Sequence, residues 1–521
     1  MPSDRTVREG PRLGLPRLPN SEVVTANIAD VAADAIVIGH FSGTSPQDDA
    51  AAAVDAALGG VIARLSASGD ISGKLGEVTA LYPTTGVKAL RVLVAGLGDR
   101  ATFGPEALRR ASAAAALKAR DLGATNLATA IHGAGAGVGG LAPSEAAQAT
   151  LEGALLASYR YGGWREMAKA PATGLEQITL VEPDETQRAN HLDGALAAHA
   201  VARGVALARD LVNLPPVYAT PEYLAQTALT LAERTGLGVA IGDRAWAAER
   251  KMGAFLAVAK GSAHEPRFIE LVHNAGRTDL PLVVLIGKGV TFDSGGLSLK
   301  SRDGMIPMKS DMAGAAAVLG AMQAVAELDL NVRVVALCPC VENMPDGAAF
   351  RPSDVLIASN GLSIEVLSTD AEGRLALADA LVYAQSFEPA AVVDIATLTG
   401  ASVTALGAGV AASLFASDQT LRARLETAAG ATNERVWPMP LFEEYRATIE
   451  SQVADLKNTG GAQGGVGTAA VFLQAFTDYP WAHLDMAGMA LVDSPKGKAY
   501  LTPGATGYGV RLFVEFLRDW A

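Results

Sequence analysis

Histidine, cysteine and aromatic side chains are all scarce in this 521-residue chain, and each shortage narrows what the protein does. There are seven histidines, and none falls at metal-ligand spacing, so a histidine-built metal centre is not indicated. The two cysteines, Cys338 and Cys340, flank Pro339. A bridge between them would be strained and no third cysteine exists, so free thiols on a buried strand in a reducing compartment are expected. Aromatics make up 5% of the chain, whereas half of it is apolar and glycine and alanine are abundant. That balance belongs to a well-packed soluble α/β protein, not to a disordered or fibrous one.

Long uncharged runs and excess positive charge are missing as well. The longest weakly charged stretch, Ala390 to Ala416, contains Asp394, several Thr and Ser residues and Gly400, Gly407 and Gly409. It reads as a buried strand with a glycine-rich loop, not as a membrane span. Met1 to Asn20 lacks the apolar segment of a secretory signal, so a cytoplasmic location is expected. The net charge of −13 argues against nucleic-acid binding driven by charge.

At this length two domains are expected. An N-terminal α/β domain, residues 1–184, alternates short β-type runs (Ala35 to Ile38, Leu90 to Leu97) with alanine-rich helices (Glu106 to Leu122, Ser144 to Tyr159). Gly133 to Gly137 is glycine-rich but lacks the context of a dinucleotide fingerprint, and reads as a loop. Residues 185–210 form one long connecting helix, whose His191 and His199 are expected to be exposed. A C-terminal α/β domain, residues 211–521, then carries strands at Val283 to Ile286, Val332 to Leu337, Ser363 to Leu367 and Ala391 to Ile395. Helices at Gly314 to Glu327 and Arg374 to Gln385 lie between them. Near-continuous apolar strands alternating with helices imply a central, mostly parallel sheet covered on both faces.

What the chain does have is concentrated charge. Lys288, Asp293, Lys300, Asp311, Asp370, Glu372 and Arg374 fall in two short windows of small or apolar residues. Asp293, and the pair Asp370 and Glu372, lie beyond strand C-terminal ends, where open α/β sheets bind ligands. Asp370 and Glu372 are two apart, so an extended segment would turn their carboxylates the same way. Asp311 directly precedes a helix, where it also serves as an ordinary cap. Four converging carboxylates are too much negative charge to leave uncompensated, and two divalent cations bridged by Asp293 and Glu372 would neutralise it.

Three cations and a lysine neighbour then need roles. Lys288 either pairs with the acids or, losing its proton, becomes a nitrogen ligand. Lys300 and Lys309 both suit an electrophile that stabilises an oxyanion. Arg374 opens a helix and either holds an anion or pairs with one of the acids. Asp303 reads as a solvated loop residue. Asp394, Asp455 and His483 read as packed or hydrogen-bonding residues of the scaffold.

These windows resemble the leucyl aminopeptidase family of dinuclear metallopeptidases. The resemblance rests on Val290 to Gly296 (VTFDSGG), Met308 to Gly314 (MKSDMAG) and Thr369 to Leu375 (TDAEGRL), in order, and extends over roughly residues 205–521. It implies one metal ion on Asp293, Asp370 and Glu372, and another on Lys288, Asp293, Asp311 and Glu372. Mn²⁺ or Zn²⁺ would fill both places. Lys300 would polarise the scissile carbonyl, and Arg374 would hold a bicarbonate that relays a proton to the leaving amine. Lys309 is then left as a helix-start or surface residue.

A pocket of Met308, Thr397, Gly400 and Ala487 would take leucine-like side chains, with peptides as substrates and a homohexamer as the assembly. Ser368 departs from the family's usual Asn beside the leaving-group side. Two other readings compete. One is a non-catalytic assembly or DNA-binding protein on the same fold, which the intact constellation disfavours. The other is a two-metal phosphatase, whose histidines and phosphate-clamping arginines are largely missing.

Overall fold

The computed structural model describes residues 18–44, 49–134, 139–162, 174–495 and 497–520. Most of Met1 to Asn20, and Gly135 to Gly137 of the glycine-rich loop, lie outside the described residues. The N-terminal sheet is built from β1 (Asn20–Thr25), β2 (Ala35–Phe41), β3 (Val78–Leu81), β4 (Val92–Gly98), β5 (Asn126–Ala130) and β6 (Gln177–Glu182). Their order is β1-β6-β5-β2-β4-β3, parallel except for the β3–β4 pair. β2 and β4 are buried along their whole length, as continuous apolar strands covered on both faces must be. Helices α1 (Pro105–Asp121) and α2 (Pro143–Ser158) each open with a proline, where the missing N–H costs nothing.

A short 3₁₀ turn leads into the connecting helix α3 (Arg188–Asn213), which stops just before Pro215. Beyond it lie β7 (Gly238–Gly242), β8 (Arg267–His273), β9 (Leu282–Gly287), β10 (Gly289–Asp293) and β11 (Arg333–Asn343). Next come β12 (Val355–Ile357), β13 (Ser363–Glu365), β14 (Ala391–Ala396), β15 (Ala412–Ala416), β16 (Val436–Pro438), β17 (Leu456–Lys457) and β18 (Trp481–Asp485). The helices that matter for the site are α4 (Ala313–Glu327), α5 (Gly373–Ala384), α6 (Gly400–Leu406), α7 (Gln419–Thr432) and α8 (Val510–Arg518). The large sheet runs β16-β15-β18-β14-β9-β11-β8-β7, with β10 attached to β11. Its centre (β18, β14, β9, β11, β10) is parallel, and antiparallel pairings lie toward both edges.

Several expectations need correction. The strand at Ser363 is not part of this sheet; it pairs with β12 and β17 in a separate three-stranded sheet. Its alternating Ser-Ile-Glu buries only Ile364, whereas central strands such as β9 and β14 are buried at every residue. The stretch after β14 contains the short helix α6, capped by the Thr399 hydroxyl accepting from Ser402 N, and then β15. Cys338 and Cys340 are buried free thiols on β11. No single helix among the described residues is long and apolar enough to cross a membrane; Ala50–Ala57 and Val61–Ser68 qualify only as a pair bent by 104°.

The connecting helix is not a solvated strut. His191 on α3 is fully buried and His199 is half-buried, with its Nε2 2.7 Å from Ser21 Oγ. An alanine- and glycine-rich helix has little bulk of its own, so neighbours reach its backbone. A Cβ on Gly194 would lie 2.2 Å from Ser144 O of α2, and one on Gly204 would lie 2.2 Å from Gly320 O of α4. Residues of α2, α3 and α4 thus belong to one continuous core that joins the two sheets.

That crossing yields a test. Gly204→Val forces α3 and α4 apart at their closest point, and overpacking of this kind costs about 1–3 kcal/mol or more. The variant is expected to melt several degrees below wild type in differential scanning fluorimetry. Leu196→Ala, at a position 65% exposed on the same helix, should leave the midpoint unchanged. Equal midpoints for Gly204→Val and wild type would show that the helices do not meet so closely.

Candidate metal centre

The site forms where β9, β10 and β14 end and α4 and α5 begin. β9 passes through Gly287 directly into Lys288, whose N–H donates to Ile395 O and whose carbonyl accepts from Ala315 N of α4. α4 approaches this closely because Gly314 has no side chain; a Cβ there would sit 2.2 Å from Ile395 O. β10 then ends on Asp293, level with Asn343 at the end of β11. The chain turns through Gly295 and Gly296, both at positive φ, where glycine is at home.

The turn is fixed by Gly295 N donating to Asp293 Oδ1. Thr369 stitches it to the second window. Its hydroxyl donates to Gly295 O at 2.6 Å and accepts from Ser298 N at 2.7 Å. Lys300 is thereby carried against Asp370.

The result is a chain of alternating charge. Lys288 Nζ, 2% exposed, lies 2.8 Å from Asp311 Oδ1, 2.9 Å from Glu372 Oε1 and 3.0 Å from Thr397 O. Lys300 Nζ lies 2.8 Å from Asp293 Oδ2 and 2.6 Å from Asp370 Oδ1. Asp293, Asp370 and Glu372 each place an oxygen within 4.8 Å of the others. Glu372 and Asp370 do not converge by sitting on an extended segment. Asp370 is in a turn, and Glu372 has helical backbone angles at the head of α5. Asp311 does not cap α4, which has no side-chain cap; it accepts instead from Lys288 and from the Thr397 hydroxyl at 2.8 Å.

Burial and mutual repulsion reshape the titration of these groups. Burial, then Glu372 and Asp311, hold Asp293 well above the usual carboxylate range. Burial likewise lifts Asp311 to about 7, against the pull of Lys288. Asp370 is raised for the same reason, against Lys300. Glu372 goes the other way: burial opposes its charge, but Lys288 and Lys300 more than offset that and bring it to about 2. Both lysines are pushed up by the acids despite burial. Four carboxylates facing two ammonium groups leave a surplus of negative charge that further cations would relieve. The oxygen-rich donor set, with ammonium groups already bridging pairs of acids, fits small divalent cations. One oxygen of Asp311, Oδ2, is buried with no partner.

Arg374 is the complementary anomaly. It is 7% exposed, and its Nε and Nη1 are buried without a hydrogen-bond partner. The expected alternative, an ion pair with one of the acids, is not formed. Burial lowers its pKa to about 10, although Glu372 and Asp485 lie close enough to oppose that shift. Asp485 is engaged elsewhere, by the Thr399 hydroxyl at 2.6 Å and by the N–H groups of Leu398, Thr399 and Ala487. A buried guanidinium with open donors is a receptor for an anion.

Other residues fall around this centre. Thr397 and Ala487 are half-buried beside it, Met308 is half-buried in the 3₁₀ turn before Asp311, and Gly400 is exposed with open space next to its Cα. Lys309 is not a surface residue: it is half-buried and donates to Asn213 O at 2.9 Å, fastening that turn to the end of α3. Asp303 is exposed, on a short helix.

Sequence reasoning missed Asn343, which is 1% exposed and donates to Asp293 Oδ1 at 2.8 Å and Thr369 O at 3.0 Å. A lone amide ending an apolar eleven-residue strand was the available signal. His483 and Trp481 both hydrogen-bond Asp394 inside the sheet, as scaffold residues.

Residues 206–514 match the cytosol aminopeptidase family, catalytic domain, and residues 37–166 match its N-terminal domain. The chain is 46% identical to a probable cytosol aminopeptidase of Roseiflexus castenholzii, covering 87% of this chain and 92% of that one. It is 42% identical to the probable cytosol aminopeptidase of Geobacter sulfurreducens, covering 95% and 99%.

Among solved structures, a point mutant of tomato leucine aminopeptidase superposes with a TM-score of 0.85 at 34% identity, covering 98% of each chain. The bottromycin maturation enzyme BotP in complex with Mn gives 0.82 at 35% identity, covering 94% of this chain and 99% of that one. These matches support a peptide hydrolase of aminopeptidase type and lend nothing to a non-catalytic or DNA-binding role. The chain belongs to the cytosol aminopeptidase family.

Proposed function

We propose that the protein removes leucine-like residues from the N-termini of peptides, using two divalent metal ions, Mn²⁺ or Zn²⁺, held at the buried acids. The observation that carries this reading is the surplus of clustered carboxylate, three of the four buried, set beside an unpaired buried arginine. Asp293, Asp370 and Glu372 would hold one ion, and Lys288, Asp293, Asp311 and Glu372 the other. Ions bound there would supply Lewis-acid chemistry toward water and a carbonyl, and the open donors of Arg374 would hold a bicarbonate suited to proton transfer.

The side chains do the rest. Lys288, held protonated by the acids around it, would have to give up that proton to serve as a ligand. Lys300 exchanges its present contacts with Asp293 and Asp370 for the scissile carbonyl oxygen, where its charge stabilises the developing oxyanion. Asn343 and Thr397 keep Asp293 and Asp311 oriented. Met308, Thr397, Gly400 and Ala487 would line a small, largely apolar recess suited to a leucine side chain. The division into residues 1–184, 185–210 and 211–521, a cytoplasmic location and a homohexameric assembly complete the proposal.

After loading with Mn²⁺ or Zn²⁺ the protein should hydrolyse leucyl-anilide substrates and lose that activity to chelators. No turnover with any metal would sink the reading. Asp370→Ala should abolish turnover. Arg374→Ala should slow it by about 100-fold, the scale of a lost proton relay, with metal content unchanged by elemental analysis.

Proton and metal ion also compete for the same oxygens. Because burial raises Asp311 and Asp293 and the acids hold Lys288 protonated, loading with divalent cations should release protons, and affinity should rise with pH. Calorimetric titration in buffers of different ionisation enthalpy would show proton release on loading; pH-independent affinity with no release would contradict the assignment.

A further inference from the structure

A cavity of about 200 Å³ lies between the two domains, lined by none of the residues of the metal centre. Arg110 of α1 and Leu156 of α2 come from the N-terminal half; Asn433, Arg435, Met489, Lys498 and others come from the C-terminal half. In a chain of net charge −13, this lining is strongly basic. Two of its cations are already engaged. Arg209 donates to the carbonyls of Leu156, Tyr500 and Thr506, and Arg511 pairs with Glu152 and Glu434. Glu434 is the one carboxylate among the described lining residues, and Gly509 N, Leu512 N and Arg511 use it up.

Three cations remain uncommitted to any lining carboxylate. Arg110 is half-buried, and its Nε is buried with no hydrogen-bond partner. Lys498 Nζ, among the described residues, donates to the Asn433 carbonyl at 3.1 Å and pairs with no carboxylate. Arg435 reaches Asn433 Oδ1 at 3.4 Å from the exposed mouth. The nearby Glu106 is turned to the Tyr500 hydroxyl at 2.9 Å and to Arg109 at 3.5 Å. Leu156, Val205, Met489, Val492 and Leu501 supply an apolar floor. Such a site, small, interdomain and short of negative charge, holds a compact anion.

We propose that this cavity binds a small multiply charged anion, a phosphate or a short dicarboxylate, through Arg110, Lys498 and Arg435. Burial, with Arg511 and Arg435 adding to it against Glu106, already depresses the Lys498 ammonium, and an anion would restore its charge. The site is independent of Arg374, which does not line it.

The test is thermal-shift titration of the full chain with inorganic phosphate and with succinate, the ionic strength held constant with sodium chloride. A saturable rise in melting temperature with either anion is expected, and the anion that gives it names the class, phosphoryl or carboxylate. Arg435→Gln and Lys498→Gln should each raise the half-saturating concentration by about tenfold, one charge-assisted contact apiece. Arg374→Ala should leave the shift intact. Arg435 is exposed, so its substitution does not endanger folding. No saturable shift with either anion, or a shift undiminished in both variants, would overturn the proposal.

Discussion

Asp293, Asp311 and Glu372, buried, and Asp370, at the open side, repel one another, and the surrounding backbone is arranged to hold them together against that repulsion. Lys288 and Lys300 are the clasps. Each ammonium lies between two of the acids, so neither lysine can be removed without leaving two close carboxylates unscreened. The same surplus of charge explains the split titration of the cluster. Glu372, drawn down by Lys288 and Lys300 together, stays ionised, and Asp293 and Asp311, buried and facing its charge, are held above the usual carboxylate range. The centre is therefore built for cations.

Close backbone approach makes this possible. Lys288 fits beneath α5 because Gly373 has no side chain; a Cβ there would lie 2.4 Å from Lys288 Cε. α4 reaches Lys288 through Gly314, and α3 reaches α4 through Gly204 and Gly320. The small residues that dominate the composition are thus not filler. They let helices and strands come within hydrogen-bond distance of one another, and the charged side chains occupy the few spaces left.

Much of this was legible in the sequence. Continuous apolar runs marked β2, β4, β9 and β14, and the density of acids and lysines among small residues marked the centre. Errors arose where local pattern was silent about partners. Ser363 to Leu367 has the residues of a strand, but alternating burial sent it to a different sheet. The convergence of Asp370 and Glu372 was inferred from an extended segment, while a turn and a helix start bring it about. His191 was placed in solvent because an alanine-rich helix looks like a linker, although tertiary packing encloses it. Asn343 and the Lys309 contact depend on elements that meet only in the folded chain, and no spacing along one element announces them.

The end of α3 is more than a place where one domain stops. Asn213 receives Lys309 on its carbonyl, accepts from Ala505 N on its side chain and donates to the Tyr159 hydroxyl, which in turn donates to Asp210. One residue therefore ties the turn bearing Asp311, the C-terminal segment and the N-terminal half to a single post. The two halves consequently lack the modularity that their separate sheets suggest. Exchange of the N-terminal half for an unrelated one would remove Tyr159 from this post and so reach the turn that bears Asp311.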